Sequence, residues 1–231
     1  MSELEAWIDG RDLTLVSAKS AIGNAAEAIA GRPIEGSWWA DPLGSLIFRL
    51  LNELEDDAPQ YLDLVLAEGK RTLVSPRLAP VVLAVASDPE RRRRVIDTLK
   101  EPARRLLEVV ESGRTVRSDD PGEAGKVSRS VRMSLEAGLL ARSTSVHTMS
   151  GHHASLLERY PDNPAGNGQH GLRELTKAAL RAAVVANKSE VEKWFRFVEP
   201  DRERRAAAVT ELGAPEILAD GRAWLALDVS R

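Results

Sequence analysis

"DRERRAAAVTELGAPEILADGRAWLALD" (Asp201 to Asp228) reads as a helix followed by a tight hairpin, and that pairing decides the fold. Asp201 and Glu203 lie near the positive end of the helix, Val209 and Leu212 face inward, and Gly213 supplies the C-terminal stop. The hairpin is two short apolar runs about Asp220, Gly221 and Arg222, where Asp-Gly provides the positive φ angles of a two-residue turn.

Working outward, "RELTKAALRAAVVA" (Arg173 to Ala186) predicts a helix with Leu175, Ala179, Ala182 and Ala183 on one side. Ser189 then caps a short helix, "EVEKWFRF", whose Val191, Trp194, Phe195 and Val198 recur at three- and four-residue spacing. Helix, short helix, basic helix and hairpin make the outline of a winged helix-turn-helix. A weaker copy runs from Pro102 to about Tyr160: "PARRLLEVVESG", a polar link, the basic helix "KVSRSVRMSLEAGL", and a wing in "LLARSTSVHTMSG". In that basic helix Val127, Val131 and Leu135 form the inner stripe; Lys126, Arg129 and Met133 point the other way, with Arg132 at the edge.

Further upstream, Asp41 and Pro42 fit the cap and first position of a helix carrying Leu43, Ile47, Leu50, Leu51 and Leu54. "YLDLVLAEGKRTLVSP" alternates as two strands turning at Glu68, Gly69 and Lys70, and "RLAPVVLAVASD" resumes an apolar helix. The expected fold class is therefore mostly α with small β-hairpins, an α+β chain of tandem winged helix-turn-helix modules. Residues 1–98 form an N-terminal helical and hairpin module, 99–161 a module with a basic third helix, 162–171 a linker, and 172–231 the C-terminal module. The linker rests on the Pro, Asn and Gly density of "YPDNPAGNGQHG" (Tyr160 to Gly171).

The chain has 231 residues, 43% of them apolar, enough for one large core or two to three small ones. It contains no cysteine, so it has no disulfide framework, thiolate zinc site or cysteine nucleophile. No apolar run reaches a membrane-spanning length and "MSELEAWIDGRD" lacks the basic start of a secretion signal, which together predict a cytoplasmic protein with no membrane partner. The formal net charge of −3 conceals an asymmetry. The first 88 residues carry twice as many acids as bases, residues 89–142 are net basic, and the remainder is balanced. The densest patch, Arg91 to Arg94, lies just inside a helix begun by Asp88 and Pro89, so its side chains fan around more than half the circumference. A solvated helix start with partial salt bridges and a DNA contact are equally compatible with it.

Three strings carry a family resemblance: "EGSWWADPLGSLIFRLLNELED" (Glu35 to Asp56), "GKRTLVSPRLAPVVLAVA" (Gly69 to Ala86) and "SLEAGLLARSTSVHTMSGHHASLLERY" (Ser134 to Tyr160). They resemble the AlkZ-like winged-helix proteins, a bacterial group related to DNA glycosylases, with "GSWW" and "VHTMSGHH" as the specific parts. The resemblance implies a winged-helix architecture and a connection to DNA repair. It carries over no active site. Glycosylases of that group are similar in using a Gln-x-Gln pair to position water, whereas this chain has only Gln60 and Gln169, in unrelated settings.

Candidate chemistry concentrates in "HTMSGHH", where His147, Ser150, His152 and His153 lie close together. His147 and His153 are the candidate proton-handling residues. No carboxylate stands at a ligand spacing, so no metal and no cofactor is assigned. Ser150 reads more simply as the N-cap of a helix over "GHHASLLERY". Trp38 and Trp39 read as a loop anchored into a core, with stacking on a displaced base as the alternative. No Gly-rich phosphate loop and no Gly-x-Ser-x-Gly elbow is present. The expected function is duplex DNA binding led by phosphates, in regulation or DNA maintenance, through Lys126, Arg129 and Arg132 of one module and Arg202, Arg204 and Arg205 of the next. A glycosylase-like lesion hydrolase and a protein-interaction scaffold without nucleic acid are the alternatives.

Overall fold

The computed structural model describes residues 2–118, 127–147, 153–161 and 168–227. Unit one opens with α1 (Glu3–Asp9), capped by Ser2 in a reciprocal box with Glu5, and continues through β1 (Leu13–Leu15), α2 (Ala25–Ala30), α3 (Gly44–Asp57), β2 (Leu62–Val65) and β3 (Arg71–Val74). Two bridging helices follow, α4 (Ala79–Ser87) and α5 (Pro89–Thr98). Unit two contains α6 (Glu101–Glu111), β4 (Val116–Arg117), α7 (Arg129–Ala137), β5 (Arg142–His147) and β6 (His153–Glu158). Unit three contains α8 (Gly168–Ala183), β7 (Val185–Asn187), α9 (Lys188–Val191), α10 (Arg202–Thr210), β8 (Glu216–Ala219) and β9 (Arg222–Ala226).

Units one and three thus repeat one order: helix, strand, helix, helix, strand, strand. In unit two the described residues give helix, strand, helix, strand, strand, with one helix between the first strand and the hairpin. Each unit folds its strands into an antiparallel three-stranded sheet in which the last strand is central and the first lies beside it: β1-β3-β2, β4-β6-β5 and β7-β9-β8. The chain is an α+β fold of helices with small sheets. The β8–β9 turn has Asp220 and Gly221 at φ 52° and 69°, the left-handed pair that its Asp-Gly predicts.

Several boundaries differ from the sequence expectation. α8 starts at Gly168 rather than Arg173 and stops at Ala183, where Val184 takes φ 65° and releases the chain into β7. Asn187, not Ser189, caps α9, because its carboxamide oxygen reaches the Ser189 N–H at 3.0 Å. Asp41 does accept a backbone N–H, from Leu43 at 3.0 Å, but it closes a short 3-10 turn and α3 begins at Gly44. "GHHASLLERY" holds a strand, not a helix. β6 lies between β4 and β5 and bonds on both edges, which satisfies more backbone than a capped helix start offers; Ser150 lies outside the described residues.

Units one and two keep apolar clusters of their own, and a larger one joins the units. One continuous apolar cluster takes Leu13, Leu15 and Val74 from unit one, Val82, Val85 and Ala86 from α4, Leu139 from unit two, and Leu175, Trp194, Phe195 and Val198 from unit three. α4 and α8 pack closely because Gly171 lets the backbones meet: a Cβ there would fall 2.4 Å from Val85 Cγ2. Asp12 adds a polar tie, accepting from Arg77 Nε at 2.7 Å on one side and from Arg181 Nη1 of α8 at 2.9 Å on the other.

Among the described residues the most buried cation ties the bridging helices to units two and three. Arg91 is 2% exposed. Its Nη1 donates to the carbonyls of Gly138 (2.7 Å) and Val198 (2.9 Å), and its Nη2 to those of Ala86 and Leu139 (3.2 Å each). Burial draws its pKa down to about 10, which leaves it charged at neutral pH. Replacing Arg91 by Met removes the donor from four buried carbonyls and should lower unfolding stability by about 3 kcal/mol or more. Urea denaturation checks this: the midpoint should fall sharply, whereas a change within about 0.5 kcal/mol would mean the carbonyls find other donors.

Candidate nucleic-acid interface

α7 forms because Ser128 accepts the Val131 N–H while Val131 and Leu135 meet the α6 side of unit two's core. Arg129 stands exposed in its first turn, at a cleft of about 150 Å³ between α7 and the β2–β3 hairpin of unit one. Arg132, one turn on, is committed: its Nη1 donates to Ser155 Oγ of β6 at 2.6 Å and its Nε lies 3.4 Å from Glu136 Oε1. Unit one presents Asp63, paired with Arg71, and Glu55 to the same cleft. Burial raises the Asp63 carboxyl above its ordinary range, with Arg71 opposing the shift. The outer face of α7 therefore meets the acidic front of the chain. Lys126 lies outside the described residues.

In unit three, Asp201 caps α10 through the N–H groups of Glu203 and Arg204. Arg202 is exposed on the first turn. Arg204 Nε sits 3.4 Å from Glu199 Oε2, and Arg205 binds main-chain oxygens, giving Nε to Glu192 at 2.8 Å and Nη1 to Glu199 at 2.7 Å and Pro200 at 2.8 Å. Glu199, 2% exposed, also accepts both nitrogens of Arg94 from α5, at 2.6 and 3.0 Å. Of the six cations assigned to DNA, Arg132, Arg204 and Arg205 hold the protein to itself, and Arg129 and Arg202 remain exposed. The run Arg91 to Arg94 divides similarly: Arg91 is interior, Arg92 pairs with Glu111 at 2.5 Å, Arg94 pairs with Glu199, and Arg93 is exposed.

The aromatic pair splits as well. The Trp38 and Trp39 rings stack at 4.1 Å between centroids and 26° between planes, and Trp39 leans on Phe48 at 5.1 Å. Trp38 is half-buried beside the Ile34 and Ile47 cluster, while Trp39 is 61% exposed, so one indole anchors the loop and the other is presented to solvent. His147 and His153 are paired across the β5–β6 ladder as its last rung, and the residues between them, 148–152, lie outside the described residues. The tryptophans stand on unit one and these histidines on unit two.

No protein family, curated protein or solved structure matches the chain. The assignment of a site rests on geometry alone.

Of the two residues that hold this region together, the sequence marks Arg91 as part of a basic patch at a helix start, not as an interior cation, and does not mark Glu199. For Arg91 a signal existed: with Val95 and Leu99 it lies at four-residue steps on a stripe that is otherwise apolar. For Glu199 none was local, since Arg94 is 105 positions away. The division between structural and free cations predicts opposite outcomes for two variants. Glu199→Ala leaves Arg94 and Arg204 without their carboxylate and should cost about 3 kcal/mol in denaturant unfolding, whereas Arg202→Ala should stay within about 0.5 kcal/mol. Equal effects would contradict the division.

Proposed function

We propose that the three units are winged helices and that the protein binds duplex DNA weakly, through phosphates, from the basic second unit. The observation that carries the reading is the order of helix, strand, helix, helix and hairpin in units one and three, together with a three-stranded sheet in every unit whose last strand is central. In such modules the N-terminal end of the third helix and the hairpin approach the nucleic acid. Arg129 occupies that end of α7, exposed and beside a helix start whose free N–H groups favour an anion. Arg93, Lys100 and Arg104 are further exposed cations of α5 and α6. With few phosphate contacts and a net charge of −3, the affinity is modest and its fall with salt is shallow, in proportion to those few contacts.

Regulation or DNA maintenance is the role this binding would serve. A second reading, a protein-interaction scaffold, is favoured by one observation: β8 is an edge strand, with Ile217 55% and Leu218 79% exposed. Such an edge is a template for pairing with another chain.

Fluorescence anisotropy with a short labelled duplex separates the readings. Under the DNA reading, Arg129→Glu weakens binding about tenfold on unrelated sequences alike and reduces the slope of log affinity against log salt by about one. Unchanged affinity, or no duplex binding by the wild-type protein at low salt, would leave the scaffold reading standing.

A further inference from the structure

A groove of about 980 Å³ opens where the three units converge. Its floor is apolar and deep: Val95, Leu99, Ala103 and Ala137 expose 9% of their surface or less. One wall is Phe197 of unit three, 41% exposed, whose ring lies so close to Gly69 at the unit-one hairpin tip that a Cβ there would come within 2.8 Å of it. The Glu68 N–H donates to the Trp194 carbonyl at 2.6 Å, fixing that tip against unit three.

The rim is cationic. Lys100 and Arg196 are exposed there, and the Arg196 guanidinium covers the Phe197 ring at 4.7 Å from its centroid. Arg205 adds a third positive charge, held on main-chain carbonyls. The lining carboxylate Glu68 is already matched, by Lys70 Nζ and by the Ser20 hydroxyl, both at 2.5 Å. An apolar cleft with convergent cations is the composition of a small-molecule site, and the volume lies at the upper end of what such sites span.

We infer that this groove binds a small amphipathic anion: an aliphatic or aryl body on the floor formed by Val95, Leu99 and Ala103, with a carboxylate or sulfonate between Lys100 and Arg196. The apolar body gains the free energy of leaving water, and the head group meets two exposed cationic side chains. The inference does not depend on DNA binding, and its test contains none.

The probe is 8-anilinonaphthalene-1-sulfonate, titrated into the intact protein by fluorescence. The groove predicts saturable binding of one molecule per chain. Lys100→Glu with Arg196→Glu should weaken it at least about tenfold, since both changes lie at exposed positions and reverse the rim charge. Ser134→Trp, at an exposed position of α7 on the same rim, should block it while the thermal midpoint stays near that of the wild type. Decanoate should displace the probe and decylamine should not. Non-saturating binding, equal displacement by decylamine, or unchanged affinity in the charge-reversed protein would overturn the inference.

Discussion

A single buried guanidinium sets the arrangement of the molecule. Arg91 needs several acceptors to leave water, and the chain supplies them from three helix or turn ends: Ala86 at the close of α4, Gly138 and Leu139 after α7, and Val198 before α10. Those of Ala86 and Gly138 are carbonyls that helix termination leaves unpaired, and they carry the partial negative charge of those ends. Units two and three and the bridging helix α4 deliver the acceptors, and the bridging helix α5 delivers the donor. Leu139, at φ 49°, turns its side chain into the shared core as its carbonyl meets Arg91, so the polar and apolar joints close together.

The same economy explains why a locally basic sequence gives a sparsely basic surface. Arg94 and Arg204 converge on Glu199, Arg205 ties down main-chain oxygens before α10, and Arg132 bridges α7 to β6. Half-buried cations of this kind are structural, because the partner they would leave behind, Glu199 above all, is itself buried. What is left for a polyanion is a thin set of exposed side chains, and what is left for an apolar anion is the groove where the units meet.

Much of the fold was legible in the sequence because it is written in local periodicity. The α10 helix and the Asp220–Gly221 hairpin, the β2–β3 turn at Glu68 to Lys70, and the stripe of Val191, Trp194, Phe195 and Val198 all follow from spacing within a dozen residues. β6 did not, because a strand that owes its stability to partners on both edges competes locally with a plausible capped helix. Nor did the fused core: α4 reads as an amphipathic or buried helix, and nothing near it says that α8, some 80 positions on, lies across Gly171. The candidate interface was the least legible part. Arginine counts locate charge along the chain, whereas its availability depends on acids such as Glu199 and on carbonyls brought in from other units.

The account stands on the three units being joined into one cooperative structure rather than strung as separate modules. Scanning calorimetry of the full chain tests this most directly. One transition, with calorimetric and van't Hoff enthalpies in agreement, is the result it predicts. Two or three resolved transitions, each with the enthalpy of a small module, would contradict it.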